Sequence, residues 1–251
     1  EIVKGATSVL YGANAATAVI DIRTKQAGKT PLALIVEGSA GTQNTADESD
    51  ADIGQFHQYV QLSGRQGRWS YLGGFSHSLA NGLSSLANGT EPDPYSSWSA
   101  DFKAGRGLGE NMHLEVIANK SRMRSAYDDA FNGVDAPFEY RTDQERLGLQ
   151  WIWKDSIQQL ELMGAFTEYQ SENISDFPGQ FNGTNWTADI TYKRSLGGGL
   201  YGLLGLVAGG AYFYPQTPDE ASRQPASMTA VAGFATSNGS RAAGLAQQNY
   251  W

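Results

Sequence analysis

The sequence predicts an all-β protein, a transmembrane antiparallel β-barrel, and three observations carry that prediction. Apolar and polar residues alternate with period two through most of the chain. The connections between alternating segments are short and long by turns. Charge sorts by sign with connection length. Together these describe hairpins with one apolar and one polar face, tight at one end and open at the other.

The alternation reads segment by segment. Phe56, Val60 and Leu62 stand against His57, Tyr59, Gln61 and Ser63, and the next segment runs Trp69, Tyr71, Gly73, Phe75. Trp98, Ala100, Phe102 and Ala104 oppose Ser99, Asp101 and Lys103. Leu114, Val116 and Ala118 follow, then Leu147, Leu149, Trp151 and Trp153 against Arg146, Gly148 and Gln150. Leu160, Leu162, Gly164 and Phe166 precede Trp186, Ala188, Ile190 and Tyr192, which oppose Thr187, Asp189, Thr191 and Lys193. Several segments approach the ~9–11 residues a strand needs to cross a bilayer. The uncharged stretch Gly198–Pro215 competes, being as long as a membrane helix and containing Gly205 and Gly209 at helix-dimer spacing. Its glycines penalise a helix. Its place between a short turn and a long loop makes it the ninth strand, apolar on both faces.

Short connections are expected at Gly64–Arg68, Gly107–Asn111, Lys154–Ser156, Ser195–Gly199 and Ser237–Arg241. Long ones are expected at Gln43–Asp52, Asn81–Ser96, Ser125–Thr142, Glu172–Thr184 and Tyr214–Ser227. The short turns thus recur roughly every 40–47 residues, one per hairpin. This gives about ten strands, with Ala242–Trp251 starting another. The long connections carry acids (Asp93, Asp128, Asp129, Asp135, Asp176, Asp219, Glu220), whereas Arg65, Arg68, Arg106, Lys154, Lys193, Arg194 and Arg241 sit near the short turns. Outer-membrane barrels divide their loops in this way and a soluble sandwich has no reason to. Trp69, Trp98, Trp153 and Trp186 fall near predicted strand ends, as in an interfacial girdle; in a sandwich they would be core.

Composition bounds the rest. The chain has 251 residues, no Cys and a formal net charge of -8, so disulfides, cysteine metal sites and a catalytic thiol are excluded and a nucleic-acid partner is disfavoured. Its mean hydropathy of -0.40 is that of a soluble protein, yet alternating strands average to such a value in a membrane barrel too. Enzyme signatures are poor. His57, His77 and His113 are far apart, and Gly105, Gly107 and Gly109 lack the following helix of a nucleotide loop. The run Asp47, Glu48, Asp50, Asp52 offers oxygens for a structural Ca²⁺ ion. It lacks the glycine and glutamate of an EF-hand loop, which favours a solvated acidic loop.

The opening segment differs from the rest. Glu1, Val3, Lys4, Gly5, Ser8, Leu10, Tyr11, Gly12, Ala15, Val19, Ile20, Ile22, Thr24 and Lys25 follow a run found at the end of the plug domain in TonB-dependent outer-membrane receptors. The segment resembles that family over about a tenth of the chain, with Ala18 in place of the usual glycine and Asp21 in place of asparagine. The resemblance implies that residues 1–28 end a plug domain and that residues 29–251 form the N-terminal half of a barrel of ~22 strands. On that basis the chain is incomplete at both ends, and the segment that engages TonB lies upstream. The resemblance further implies active import, with a ferric siderophore as the commonest cargo and cobalamin or other ligands as alternatives, in contact with outer-membrane lipid and lipopolysaccharide. No catalysis and no cofactor are required. Loop and strand-top aromatics are the candidate ligand contacts: Tyr95, Tyr127, Phe131, Phe138, Tyr140, Phe177, Phe181, Tyr212 and Tyr214. For each, packing of loop against loop is the competing role. A non-transporting surface barrel or adhesin and a soluble all-β binding domain are the readings from other classes.

Overall fold

The computed structural model describes residues 2–4, 18–20, 25–43, 53–86, 89, 91–197, 200–215, 227–236 and 243–250. Strands β1 (Ile2–Lys4) and β2 (Ala18–Ile20) form a small antiparallel pair with Val3 opposite Val19. Everything else belongs to one antiparallel meander: β3 (Ala33–Gly41), β4 (Gln55–Gln66), β5 (Trp69–Ala80), β6 (Tyr95–Gly107), β7 (Met112–Asp129), β8 (Val134–Lys154), β9 (Gln158–Ile174), β10 (Gly179–Gly197), β11 (Leu200–Pro215), β12 (Ser227–Thr236) and β13 (Ala243–Tyr250). Each strand pairs with its neighbours in sequence, giving an 11-stranded sheet with β3 and β13 at its edges. The expected all-β antiparallel class is the observed one. Gly198–Pro215 supplies β11, a strand and not a helix.

The two faces have opposite chemistry, and register keeps them separate because one-residue slips would exchange them. One cross-strand row runs Leu34, Leu62, Gly73, Phe102, Ala118, Leu147, Phe166, Trp186, and the next runs Gly64, Tyr71, Ala104, Val116, Leu149, Gly164, Ala188. The intervening positions are His57, Tyr59, Gln61, Ser63, Asp101, Lys103, Asn119, Gln150 and Glu161. In a soluble protein the apolar face would be covered. Here Leu34, Phe102, Leu147, Leu149 and Trp186 are exposed, whereas Gln61, Ser63, Ser70, Lys103, Glu115 and Ser171 are buried. The polar face is the crowded one.

The apolar stretch is short relative to the strands that carry it. On β8 it covers Leu147, Leu149, Trp151 and Trp153, about 20 Å of strand at roughly 3.3 Å per residue. Its lower rim holds Trp69 under the guanidinium of Arg106, 4.8 Å from the ring centroid. Above Leu147 the same face turns ionic, and the strands continue. β7, β8, β9 and β10 have 18, 21, 17 and 19 residues. The long connections expected at Ser125–Thr142 and Glu172–Thr184 are therefore corrected to tight links at 130–133 and 175–178. Polar residues on both faces hide a strand from a periodicity search, while paired backbone extends it all the same. The connection between β5 and β6 (81–94) does stay long. Ser84 and Ser85 hydroxyls each donate to Asp128 Oδ2 at 3.0 Å, tying it to the tip of β7.

The first hairpin also holds the segment that precedes β3. The Lys25 ammonium lies 5.4 Å from the Tyr59 ring centroid, on the polar face. From there the chain descends to the turn end, where Arg65 N–H donates to Thr30 O at 2.9 Å and Tyr71 Oη donates to Pro31 O at 2.7 Å. Gly64 makes this crossing possible, because a Cβ there would sit 2.1 Å from the Pro31 carbonyl oxygen.

Candidate ligand-binding rim

Above the turn end, β7 to β10 carry aromatic side chains on the polar face, placed by register within four successive rows of that face. Tyr127 stands opposite Phe138, and their rings are 5.5 Å apart at 58°. Tyr140 stands opposite Asn173 and reaches diagonally to Tyr169, with hydroxyl oxygens 3.4 Å apart. Tyr169 in turn meets Phe181 edge-on at 6.3 Å. The Tyr127 hydroxyl donates to Asn173 Oδ1, closing the group across three strands. Offset and edge-on geometry leaves ring faces available while fixing the rings against one another. Hydroxyl and amide groups between the rings supply hydrogen-bonding positions, so the surface suits a flat ligand with polar edges.

Of the candidate contacts, Tyr127, Phe138, Tyr140 and Phe181 are brought into this group. Tyr95 opens β6 opposite Ser125, itself the partner of Tyr140, so it stands two strands away in the same row. Phe131 and Phe177 lie on the links 130–133 and 175–178 and are 96% and 89% exposed, apart from the group. Tyr212 and Tyr214 pair through the backbone with Thr184 and Asn182. Sequence reading missed Tyr169 and Asn173, because Tyr169 lies within a stretch whose alternation is polar on both sides. The spacing Tyr169, Ser171, Asn173 is the signal that could have found them.

Lower on the same face a polar network replaces the rings. Lys103 Nζ lies 3.5 Å from Glu115 Oε1, and His113 Nε2 lies 3.9 Å from the other oxygen. Asn119 donates to Asp101 at 2.7 Å, and Gln150 donates to Glu161. His57 contacts Ser78 at 2.9 Å. Burying a charge requires a partner, and Lys103 and Glu115 supply each other. Among the described residues no group of three His, Asp or Glu side chains could hold a metal ion. The acidic run Asp47, Glu48, Asp50, Asp52 and the motif residues Gly5, Ser8, Leu10, Tyr11 and Gly12 lie outside the described residues.

At the turn end, Asp155 organises the link between β8 and β9. Its Oδ1 accepts from Ile157 N–H at 2.7 Å and Gln158 N–H at 2.8 Å. These backbone donors, with the Gln158 amide and the nearby Arg194 charge, outweigh burial and hold the carboxyl below its ordinary range.

No protein-family model matches the chain, and no curated protein does. Among solved structures it is similar to one described as the copper transporter OprC, at 13% identity and a TM-score of 0.48. That likeness covers 94% of this chain and 47% of the other, so the chain spans about half of that protein's length.

Proposed function

We propose that this chain is part of a plugged bacterial outer-membrane β-barrel of the TonB-dependent type, which imports a scarce nutrient, with a ferric siderophore as the ligand. The inverted burial carries the membrane reading: a polar face that is crowded, and an apolar face of Leu147, Leu149, Phe102 and Trp186 open along strands long enough to cross a bilayer. The polar face then lines the lumen, and the ionic upper half of β7–β10 stands outside the bilayer. Among the described residues β3 and β13 are edge strands, and an open edge would be costly in lipid, which supports a wall of more strands than these 11.

The transport reading rests on residues 1–25 and their resemblance to a plug terminus. The Lys25–Tyr59 contact supports it, since it holds Lys25 on the polar face, which is the lumen side in this reading. Residues 1–28 would close the plug and residues 29–251 form wall. TonB would pull on the upstream segment while the barrel itself performs no covalent chemistry. Tyr127, Phe138, Tyr140, Tyr169 and Phe181 would receive the ligand at the outer rim, where ring faces suit a flat aromatic chelate and would also suit a corrin. The membrane reading is tested by heat-modifiable migration of the full-length protein, and a protein that stays in solution without detergent and shows no mobility shift overturns it. The transport reading is tested by uptake of a labelled ferric catecholate into iron-starved cells with and without the gene. A full-length product with no plug-like region upstream overturns that part alone.

A further inference from the structure

On the polar face, register sets Asp101, Asn119, Arg146, Thr167 and Asn185 in one row across β6 to β10. From this row up to the ring group, the polar-face positions of these five strands carry no charge except Asp101 and Arg146. Asp101 is engaged locally, accepting from the Asn119 amide at 2.7 Å. It stands two strands from Arg146, roughly 10 Å at the strand spacing of a sheet. That separation is about one Debye length in physiological salt, so the carboxylate neutralises the guanidinium only weakly. Arg146 is exposed and makes no hydrogen bond or ion pair among the described residues.

The cations on the opposite face of the same strands are placed differently. Lys120 meets Glu145, Arg122 meets Asp143, and Arg141 is held by Glu139 and lies near Glu172. Arg124, directly opposite Arg141, lies in the field of the Glu139 carboxylate. Arg146 is therefore a guanidinium set alone in a wall of hydroxyl and amide groups.

Its height in that wall matters. Arg146 follows Gln144 by two residues along β8, and Gln144 is the register partner of Tyr169. Arg146 thus stands about 7 Å of strand below Tyr169, the ring that links Tyr140 to Phe181. An arginine side chain spans that distance. A ligand resting on the rings would bring its lower edge within reach of the guanidinium.

We propose that Arg146 sets the charge preference of the rim, binding the anionic edge of an aromatic chelate seated against Tyr169. The inference rests on the siderophore reading above and narrows it to ligands that are anionic as bound. A guanidinium offers paired N–H donors, which match two adjacent aryl oxygens of a catecholate. The rings alone accept any flat ligand, so the discrimination between an anionic chelate and a neutral one of similar size comes from this residue.

The test is fluorescence titration of the detergent-solubilised full-length protein with two probes, an anionic ferric tris-catecholate and a neutral ferric tris-hydroxamate. Wild type is expected to prefer the anionic probe by at least about tenfold, the equivalent of one charge-assisted contact. Arg146→Gln should reduce that preference by about tenfold. Arg146→Lys, which keeps the charge and loses the paired donors, should restore part of it. Added salt should weaken the wild-type preference and leave that of Arg146→Gln nearly constant. Binding of both probes by wild type without preference, or a preference unchanged in Arg146→Gln, overturns this inference and leaves the siderophore reading standing. Failure of wild type to bind either probe overturns the siderophore reading and the inference with it.

Discussion

Gly64→Ala tests the account of how the chain enters the wall. A Cβ at residue 64 would lie 2.1 Å from Pro31 O, 2.5 Å from Tyr71 Oη and 2.7 Å from Tyr71 Cζ. Two of these atoms belong to the hydrogen bond between Tyr71 and Pro31, and the nearest is backbone, so no rotamer change relieves the contact. Residues 30–31 must move by more than an ångström. That displacement removes the Tyr71–Pro31 bond and strains the Arg65–Thr30 bond, worth about 0.5–1.5 kcal/mol each. Overpacking adds ~1–3 kcal/mol, for a total of about 2–5 kcal/mol. Gly38→Ala in the partner strand is the control, its nearest neighbour being His57 O at 3.9 Å. The assay is the urea midpoint of the folded, fast-migrating band of full-length protein, together with tryptic cleavage at Lys25 and Lys29. Gly64→Ala should lower the midpoint and open both sites, and Gly38→Ala should do neither. Equal midpoints for the two variants would refute the crossing geometry.

Three further outcomes follow from the structure. Leu147→Arg at a residue already 57% exposed should cost ~2–4 kcal/mol of folding stability in lipid, whereas a soluble sheet would tolerate it with almost no change; refolding equilibria in vesicles decide between them. Tyr169→Ala and Phe181→Ala should each weaken binding of a ferric catecholate, by about 0.5–1.5 kcal/mol per lost ring contact, while Phe177→Ala at the exposed tip leaves it unchanged in fluorescence titrations. The Asp155 carboxyl sits low in the folded protein, so its stabilisation is present above the unfolded carboxyl range and lost as pH falls through the folded value. The gap in unfolding midpoint between wild type and Asp155→Asn should therefore close on acidification, and a gap independent of pH would contradict the assignment.

Alternation at Phe102–Ala104, Leu147–Trp153 and Trp186–Tyr192 made the strands and their two faces legible in the sequence, because a pleated strand transmits composition directly into side-chain direction. Link lengths at 108–111 and 155–157 were legible for the same reason. The upper halves of β7–β10 were not, since Arg122, Arg124, Asp143, Glu145 and Glu168 share a face with Leu147 but break its apolar pattern. Of the rim, Tyr127, Phe138, Tyr140 and Phe181 were visible as aromatics in supposed loops, and Tyr169 was not. The sequence by itself determined the strand class and the polar–apolar division, both properties of local spacing. Only the tertiary structure decided which face is crowded, that Arg124 meets Arg141, and that Pro31 crosses over Gly64. The last two depend on the register between paired strands, where a shift of one residue would exchange one neighbour for another.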